Sequence, residues 1–392
     1  MKIPMPLRPF AWLSIPLLAS APVLGAAALH GIGDLPGGIV FSEVRDAKRV
    51  DGTLHAVGGS SANPGSNGGD TAVLWSSTDG LVALPNLVAN NAAISFITAS
   101  ALTPDAAYIA SRARSVAQGG RRAAVRVTRN GRVNLDLTGP GAVPGSSAAV
   151  AVSDDGRILY GFGNDSTRAY RFSADGSAPV LIPFLSATHT MNLPAARGCS
   201  ADGSVMVGFS RGVVEYRAFR YVHGSGVSAI PLVPTGTWNE ALGLTPGGHI
   251  TLVRGDSDRL PVGETSLHDA RNGQSVRLGS PNEVWQPRNV GGLTADGAVV
   301  VQPYESTLPG GPAITYFRNP QGWFHLSSAL AAGGIDLAGR GWDALTAAGI
   351  SPDGTLVFGA GRHQGAIEGF VAEFPPGFLA GFGTSPKIPA DS

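Results

Sequence analysis

Seven times along the chain a hydrophobic run ends in a Ser/Thr-x-Asp-Gly-type turn, and a second apolar run follows at once. The copies are Arg49-Val50-Asp51-Gly52, Thr103-Pro104-Asp105-Ala106, Ser153-Asp154-Asp155-Gly156, Ser200-Ala201-Asp202-Gly203, Thr245-Pro246-Gly247-Gly248, Thr294-Ala295-Asp296-Gly297 and Ser351-Pro352-Asp353-Gly354. Measured at the Asp, or at Gly247 where it is replaced, the steps are 54, 50, 47, 45, 49 and 57 residues. A period of this size belongs to a repeat protein built from one small β unit per copy. Asp-Gly supplies the positive φ of a tight hairpin, and the Ser or Thr hydroxyl can bond the turn backbone.

Reading outward from each turn predicts four short antiparallel strands. In the third copy these are Ala149–Val152, Ile158–Gly161, Ala169–Phe172 and Val180–Ile182; in the fourth, Ala195–Cys199, Val205–Gly208, Ala218–Tyr221 and Ala229–Leu232. Four strands per repeat, separated by Gly-, Asn- and Pro-rich turns, describe a propeller blade. The last copy supplies only three, near Ala344–Ile350, Leu356–Gly359 and Ile367–Phe374, while an orphan strand, Leu29–Leu35, precedes the first copy. Pairing the orphan onto the last blade would cover both open edges. The expectation is an all-β, seven-bladed β-propeller closed by its N-terminal strand at about 29–35, forming one domain over 29–375.

Residues 1–28 read as an export signal, with Lys2 and Arg8, the apolar Phe10–Leu18, and Ala26-Ala27-Ala28 as a cleavage region. No later stretch offers the ~18 apolar residues of a membrane span, and residues 376–392 read as a tail. A secreted or periplasmic location is expected. The net charge is +0 and the charged fraction 14%, which leaves no basic footprint for nucleic acid. Gly 55 and Pro 29 act as punctuation, because 43% hydrophobic residues suffice for a large core. Cys199 is the single cysteine and is read as a small core filler.

The segment Gly31-Ile32-Gly33-Asp34-Leu35-Pro36-Gly37-Gly38, the Ser-Ala-Asp-Gly-Ser-Val-Met-Val-Gly of 200–208, and Arg217-Ala218-Phe219-Arg220-Tyr221 resemble the units of the HAF-repeat family of secreted bacterial propellers. Together such units cover nearly the whole chain after residue 28. The second copy lacks the turn Gly (Ala106), the fifth lacks the Asp, and the Ala-Phe-Arg-like third strand decays there to Thr265-Ser266-Leu267-His268. The resemblance implies an exported propeller of mostly undefined role and brings no catalytic residues with it.

No Gly-x-Ser-x-Gly elbow, His-Glu-x-x-His, Ser-x-x-Lys, phosphate-cradling Gly-x-x-x-x-Gly-Lys or paired-Cys pattern occurs in the sequence. Neither a cofactor nor a metal is expected; the Asp-Gly turns lack the alternating acids of a calcium loop, and Asp256-x-Asp258 is a weak candidate only. Trp238, Trp285 and Trp342 precede their turns by 9, 11 and 11 residues, at the start of the inner strands of blades five to seven. There they would either stack on a flat ligand, with Arg288, Asn239, Glu240 and Asp343 nearby, or pack between blades. Long connections at Ser60–Asp70, Arg112–Arg122, Gln302–Pro312 and Ser327–Gly341 fall on the same loop face, and the Arg112, Arg114, Arg121, Arg122 group could meet an anionic polymer.

Two functions follow. One is a non-catalytic binding propeller for a glycan or cell-surface protein, with Trp238, Trp285, Arg288, Trp342 and Asp343 as contacts. The other is a uronate-type polysaccharide lyase drawing on His189, Tyr216, Arg288, Arg340 and His363 for proton transfer and carboxylate neutralisation. The second needs several of these groups to converge in one pocket.

Overall fold

The computed structural model describes residues 26–63, 69–84, 87–89, 92–115, 122–129, 134–136, 145–163, 166–213, 215–257, 263–281, 285–306 and 313–383. Strand dominates it, and every copy of the repeat forms its own antiparallel unit. Unit one comprises Ser42–Val50, Thr53–Ser60, Thr71–Ser76 and Gly80–Ala83, paired in chain order. Unit three (Ala148–Val152, Ile158–Gly163, Arg168–Ser173, Val180–Leu181) and unit four (His189–Cys199, Val205–Gly212, Tyr216–Val222, Gly226–Ala229) follow the same plan. Unit two adds a short fifth strand, Leu87–Ala89, and unit six splits its first strand into Trp285–Pro287 and Gly292–Leu293. Units four and five share one eight-stranded sheet through a single parallel pairing, Arg197 with Gly243.

The last unit has three strands of its own, Trp342–Ile350, Leu356–His363 and Ala366–Glu373. Its fourth is the N-terminal Ala28–Gly31, antiparallel to Ala366–Glu373 with Leu29 opposite Ala372. The pairing reaches one residue further back than the sequence places it and ends four residues earlier. Ala27 is also folded in, its N–H donating to Gly333 O at 2.9 Å.

The core lies between units. Among the described residues it falls into seven apolar clusters, each drawn mainly from two consecutive units. Tyr160 and Ala169 of unit three meet Met206, Phe219 and Tyr221 of unit four; Leu356, Phe358 and Val371 of unit seven meet Val44, Leu54 and Trp75 of unit one. Each fully buried large side chain contributes roughly 1.5–3 kcal/mol, so stability resides in neighbour-to-neighbour faces, as a repeat array requires.

The turns differ from the simple hairpin expected. Only the first copy has a two-residue tip, Asp51 and Gly52, both at positive φ. In five others the Ser/Thr hydroxyl donates to the Asp carboxylate and accepts the N–H five residues on, while the Asp also caps the N–H two residues on. For Ser200 and Asp202 these distances are 2.6, 3.0 and 2.9 Å. Neighbouring turns are further stitched together by Asp154 N–H to Ala201 O, Ala201 N–H to Pro246 O, and Ala295 N–H to Pro352 O, at 2.7–2.8 Å.

The hydroxyl and backbone donors hold Asp105, Asp202 and Asp296 below the usual carboxylate range. A carboxyl whose pKa is depressed by folding stabilises above its unfolded value, near 3.9, and loses that contribution as pH falls through the folded value. In an acid titration followed by far-UV circular dichroism, the contribution of these carboxylates should therefore stay level above about pH 5 and decline below about pH 4.

Two expectations are corrected. Ser327–Gly341 is not an open loop: it contains a helix, Leu326–Ala332, whose Leu326, Ala329 and Leu330 enter the core at helical spacing. The segment after 375 is not wholly a tail, since Phe378 and Leu379 are buried and Asn319 Nδ2 donates to Leu379 O and Phe382 O, both at 2.8 Å. The packed body therefore extends beyond 375 to at least Phe382.

Candidate functional site

The inner strands line two cavities that meet at Ala196 and Arg197. The first opens on the face carrying the approaches to the inner strands. It has a volume of about 690 Å³, with walls including Phe41, Val44, Val150, Leu242, Val290 and Ala344, and residues from all seven units take part. The second, about 420 Å³, opens among the Asp turns and is lined by Asp46, Lys48, Arg49, Asp154 and Asp353 among others. Ala196 and Arg197 belong to both linings.

Arg197 forms the partition. It leaves unit four and reaches unit seven, where its guanidinium carbon lies 4.7 Å from the Phe358 ring centre. One Nη donates to Ala348 O at 2.5 Å and the other to Arg45 O. An added Cβ at Gly349 would stand 2.5 Å from the guanidinium carbon, so a larger residue there would have to displace the Arg197 head group. Its Nε is buried without a hydrogen-bond partner.

The rim of the loop-face cavity is basic. Arg45 pairs with Glu43 at 2.6 Å, Arg362 with Asp343 at 2.9 Å and Arg288 with Glu305 at 3.5 Å, all at or near the surface. Arg112 lies near Arg122 and Arg45; burial first, then these like charges, bring its pKa down to about 10. Pairs of this exposure contribute little to stability and exchange readily with a ligand.

Of the ligand contacts expected from sequence, Arg288 lines this cavity and Asp343 holds one of its lining arginines. The tryptophans are placed along the chain as expected but are otherwise engaged. Trp342 is 5% exposed and stacks on His363 at 4.6 Å with its edge toward Phe370, so it belongs to the core. Trp238 is half-buried, edge-on to Tyr216 at 5.9 Å and 5.6 Å from the Arg254 guanidinium. Trp285, also half-buried, opens its strand opposite Ser306. A three-tryptophan mouth is therefore not formed.

The five residues of the lyase reading do not assemble into one group. His189 is buried in its strand; it bonds Ser210 Oγ at 2.7 Å through Nδ1 and Glu215 at 3.0 Å through Nε2. This Ser-His-Glu line has the composition of a nucleophile relay, yet Ser210 is fully buried, and no substrate carbonyl can approach its oxygen. Tyr216 stacks on Phe209, and burial, with Glu240 nearby, raises its pKa. His363 bonds Glu368 through Nδ1 and the backbone carbonyl of Arg340 at 3.0 Å through Nε2, while the Arg340 side chain is exposed.

Asp256 is a brace, accepting the N–H groups of Thr237 and Trp238 at 2.6 and 2.8 Å; Asp258 lies outside the described residues. Among the described residues no group of three metal-ligating side chains occurs. Cys199 is only partly exposed, and burial raises its thiol pKa. Of the four arginines expected to meet an anionic polymer, Arg112 and Arg122 lie in strands and Arg121 falls outside the described residues.

Arg197, Arg45 and Arg362 were not singled out from the sequence. A visible signal existed for Arg197, a charged residue between Ala196 and Gly198 in a strand read as innermost.

No family model matches this chain, and no curated protein does. Solved structures do. A prolyl endopeptidase is 11% identical with a TM-score of 0.51 over 86% of this chain, which spans only half of that enzyme's length. A chain of the mitotic checkpoint complex is 11% identical with a TM-score of 0.51, covering 95% of this chain and all of its own. TolB from Acinetobacter baumannii is 12% identical with a TM-score of 0.42, covering 84% of this chain and 79% of its own. What the first two share with this chain is its fold, and the sheet plan makes that fold a β-propeller.

Proposed function

We propose that this chain is an exported, non-catalytic binding propeller of seven blades, its ring closed by the N-terminal strand, and that a partner enters its loop-face cavity. The observation that carries the reading is the cavity itself, built jointly by all seven units, with Arg45, Arg197, Arg288 and Arg362 on largely aliphatic walls. A ligand site is typically concave and mostly apolar, with a few placed polar groups, and ~300–1,000 Å³ in size. The seven shared clusters and the pairing of Ala28–Gly31 with the last unit support the ring. The HAF-like units and the apolar leader support export, to the periplasm or beyond it. His189 is buried beside the buried Ser210, and His363 stacks on Trp342 and bonds the Arg340 carbonyl, which supports binding over proton transfer by either imidazole.

The test is surface plasmon resonance of the chain from residue 26 onward against a panel of polysaccharides and peptides, beside an Ala344→Trp variant that fills the cavity. Binding that Ala344→Trp abolishes without lowering the melting temperature is the expected result. Undiminished binding would move the site elsewhere, and unsaturated uronate products from any polymer would overturn the non-catalytic assignment.

A further inference from the structure

We propose that the occupant of the loop-face cavity is an extended acidic peptide segment, its apolar side chains lying on the aliphatic wall and one carboxylate received by Arg197; this rests on the binding reading above. The cavity lining carries four arginines; Arg45, Arg288 and Arg362 are paired with Glu43, Glu305 and Asp343, so Arg197 is the one with no carboxylate bonded to it. A guanidinium has five N–H donors. Arg197 commits two of its Nη donors to carbonyl groups, which carry no formal charge, and its Nε has no partner. Its positive charge thus sits at the floor of a concave site with no carboxylate bonded to it, where low dielectric strengthens an incoming anion's attraction.

The acids already at the rim are held by Arg45, Arg288 and Arg362 through their own pairs, which leaves the floor for the ligand.

The walls decide between anions. A uronate polymer needs hydroxyl partners and usually an aromatic platform. The lining offers one aromatic ring, Phe41, and three uncharged polar side chains, Ser100, Asn289 and Thr346, among mostly aliphatic and small residues, and Trp342 is inside the core. Ile367 of the lining is 42% exposed, and Ile39 and Val40, which precede the lining residue Phe41 in the chain, are 45 and 63% exposed. Mostly aliphatic walls with arginine at rim and floor are complementary to a polypeptide in which leucine-like and acidic residues alternate.

The experiment is selection of a random heptapeptide phage library on the chain from residue 26 onward, with counter-selection on Ala344→Trp. The expected pool carries Asp or Glu beside Leu, Ile, Val or Phe. Its synthetic peptides should weaken roughly tenfold in Arg197→Met and by a similar factor in Arg288→Ala/Arg362→Ala, and weaken further as salt is raised. The exposed double variant keeps the test valid should Arg197→Met fail to fold.

A pool of neutral or basic sequences that Ala344→Trp abolishes would overturn the acidic ligand and leave the cavity as a binding site. A pool bound equally by Ala344→Trp, or no pool with no polymer binding, would overturn both. An oligogalacturonate that binds in the cavity where no peptide does would overturn the peptide assignment alone.

Discussion

Gly208→Ala is expected to destabilise the folded chain by at least ~3 kcal/mol, read as a fall in the urea unfolding midpoint. A Cβ at Gly208 would stand 2.0 Å from Leu193 O, a backbone atom that cannot step aside. The approach is close because the inner strand bulges there: the register of His189–Cys199 against Val205–Gly212 shifts beyond Pro194, which is paired with Gly208. The same contact recurs at Gly58, Gly161 and Gly359, with carbonyl oxygens at 1.8, 1.9 and 2.1 Å. Glycine thus stands at the bulge in units one, three, four and seven, where a carbonyl is pressed onto the second strand, while Ser111 and Val253 occupy the corresponding positions of units two and five. Gly224→Ala is the comparison: its φ of +84° carries a cost of roughly 1–2 kcal/mol, but the added methyl meets nothing within 4 Å. Equal losses at the two positions would show that the close approach is not what selects Gly208.

Deleting residues 26–33 from the chain that begins at residue 26 should cost on the order of 5 kcal/mol and promote self-association. Leu29 and Ile32 leave the cores of unit seven, the ladder from Ala28 to Gly31 is lost, and Ile32 N–H no longer reaches Gly369 O. Two side-chain clasps go as well, His30 to Glu373 at 2.6 Å and Gly33 N–H to Glu368 at 3.0 Å. Ala366–Glu373 then presents a row of unpaired backbone groups, which another chain can extend. Light scattering and thermal melts read both effects, and a synthetic peptide of residues 26–37 should restore the intact behaviour. A deleted chain that stays monodisperse with an unchanged melting temperature would overturn the role of this strand.

Much of the fold was legible because the turns punctuate it. Ser200, Asp202 and Gly203 mark a hairpin in any context, so strand number and order followed from spacing alone, as did the pairing of an orphan first strand with an incomplete last unit. The helix Leu326–Ala332 escaped because a single seven-residue element, with no capping side chain and Gly-Gly after it, reads as loop. The site was less legible, since it depends on which side of a strand each residue faces. Trp342 and Asp343 are neighbours, one buried and the other exposed, and that alternation is set by bulges that no turn motif announces. Arg197 was hidden for a further reason: its partners are carbonyls and a ring about 150 residues away in the chain, and nothing local records them.

The N-terminal strand also places a clock on assembly. His30 and Glu373 are 343 residues apart, so the segment that leads the chain waits for the one that comes near its end. Loop closure over that distance adds entropy only logarithmically, but it cannot begin before the distant strand exists. A chain emerging from the ribosome N-terminus first would form its inner neighbour contacts locally while its leading strand stayed unpaired. The step that joins first to last is then the natural point at which a chaperone holds the molecule, or at which two chains exchange strands instead of each closing upon itself.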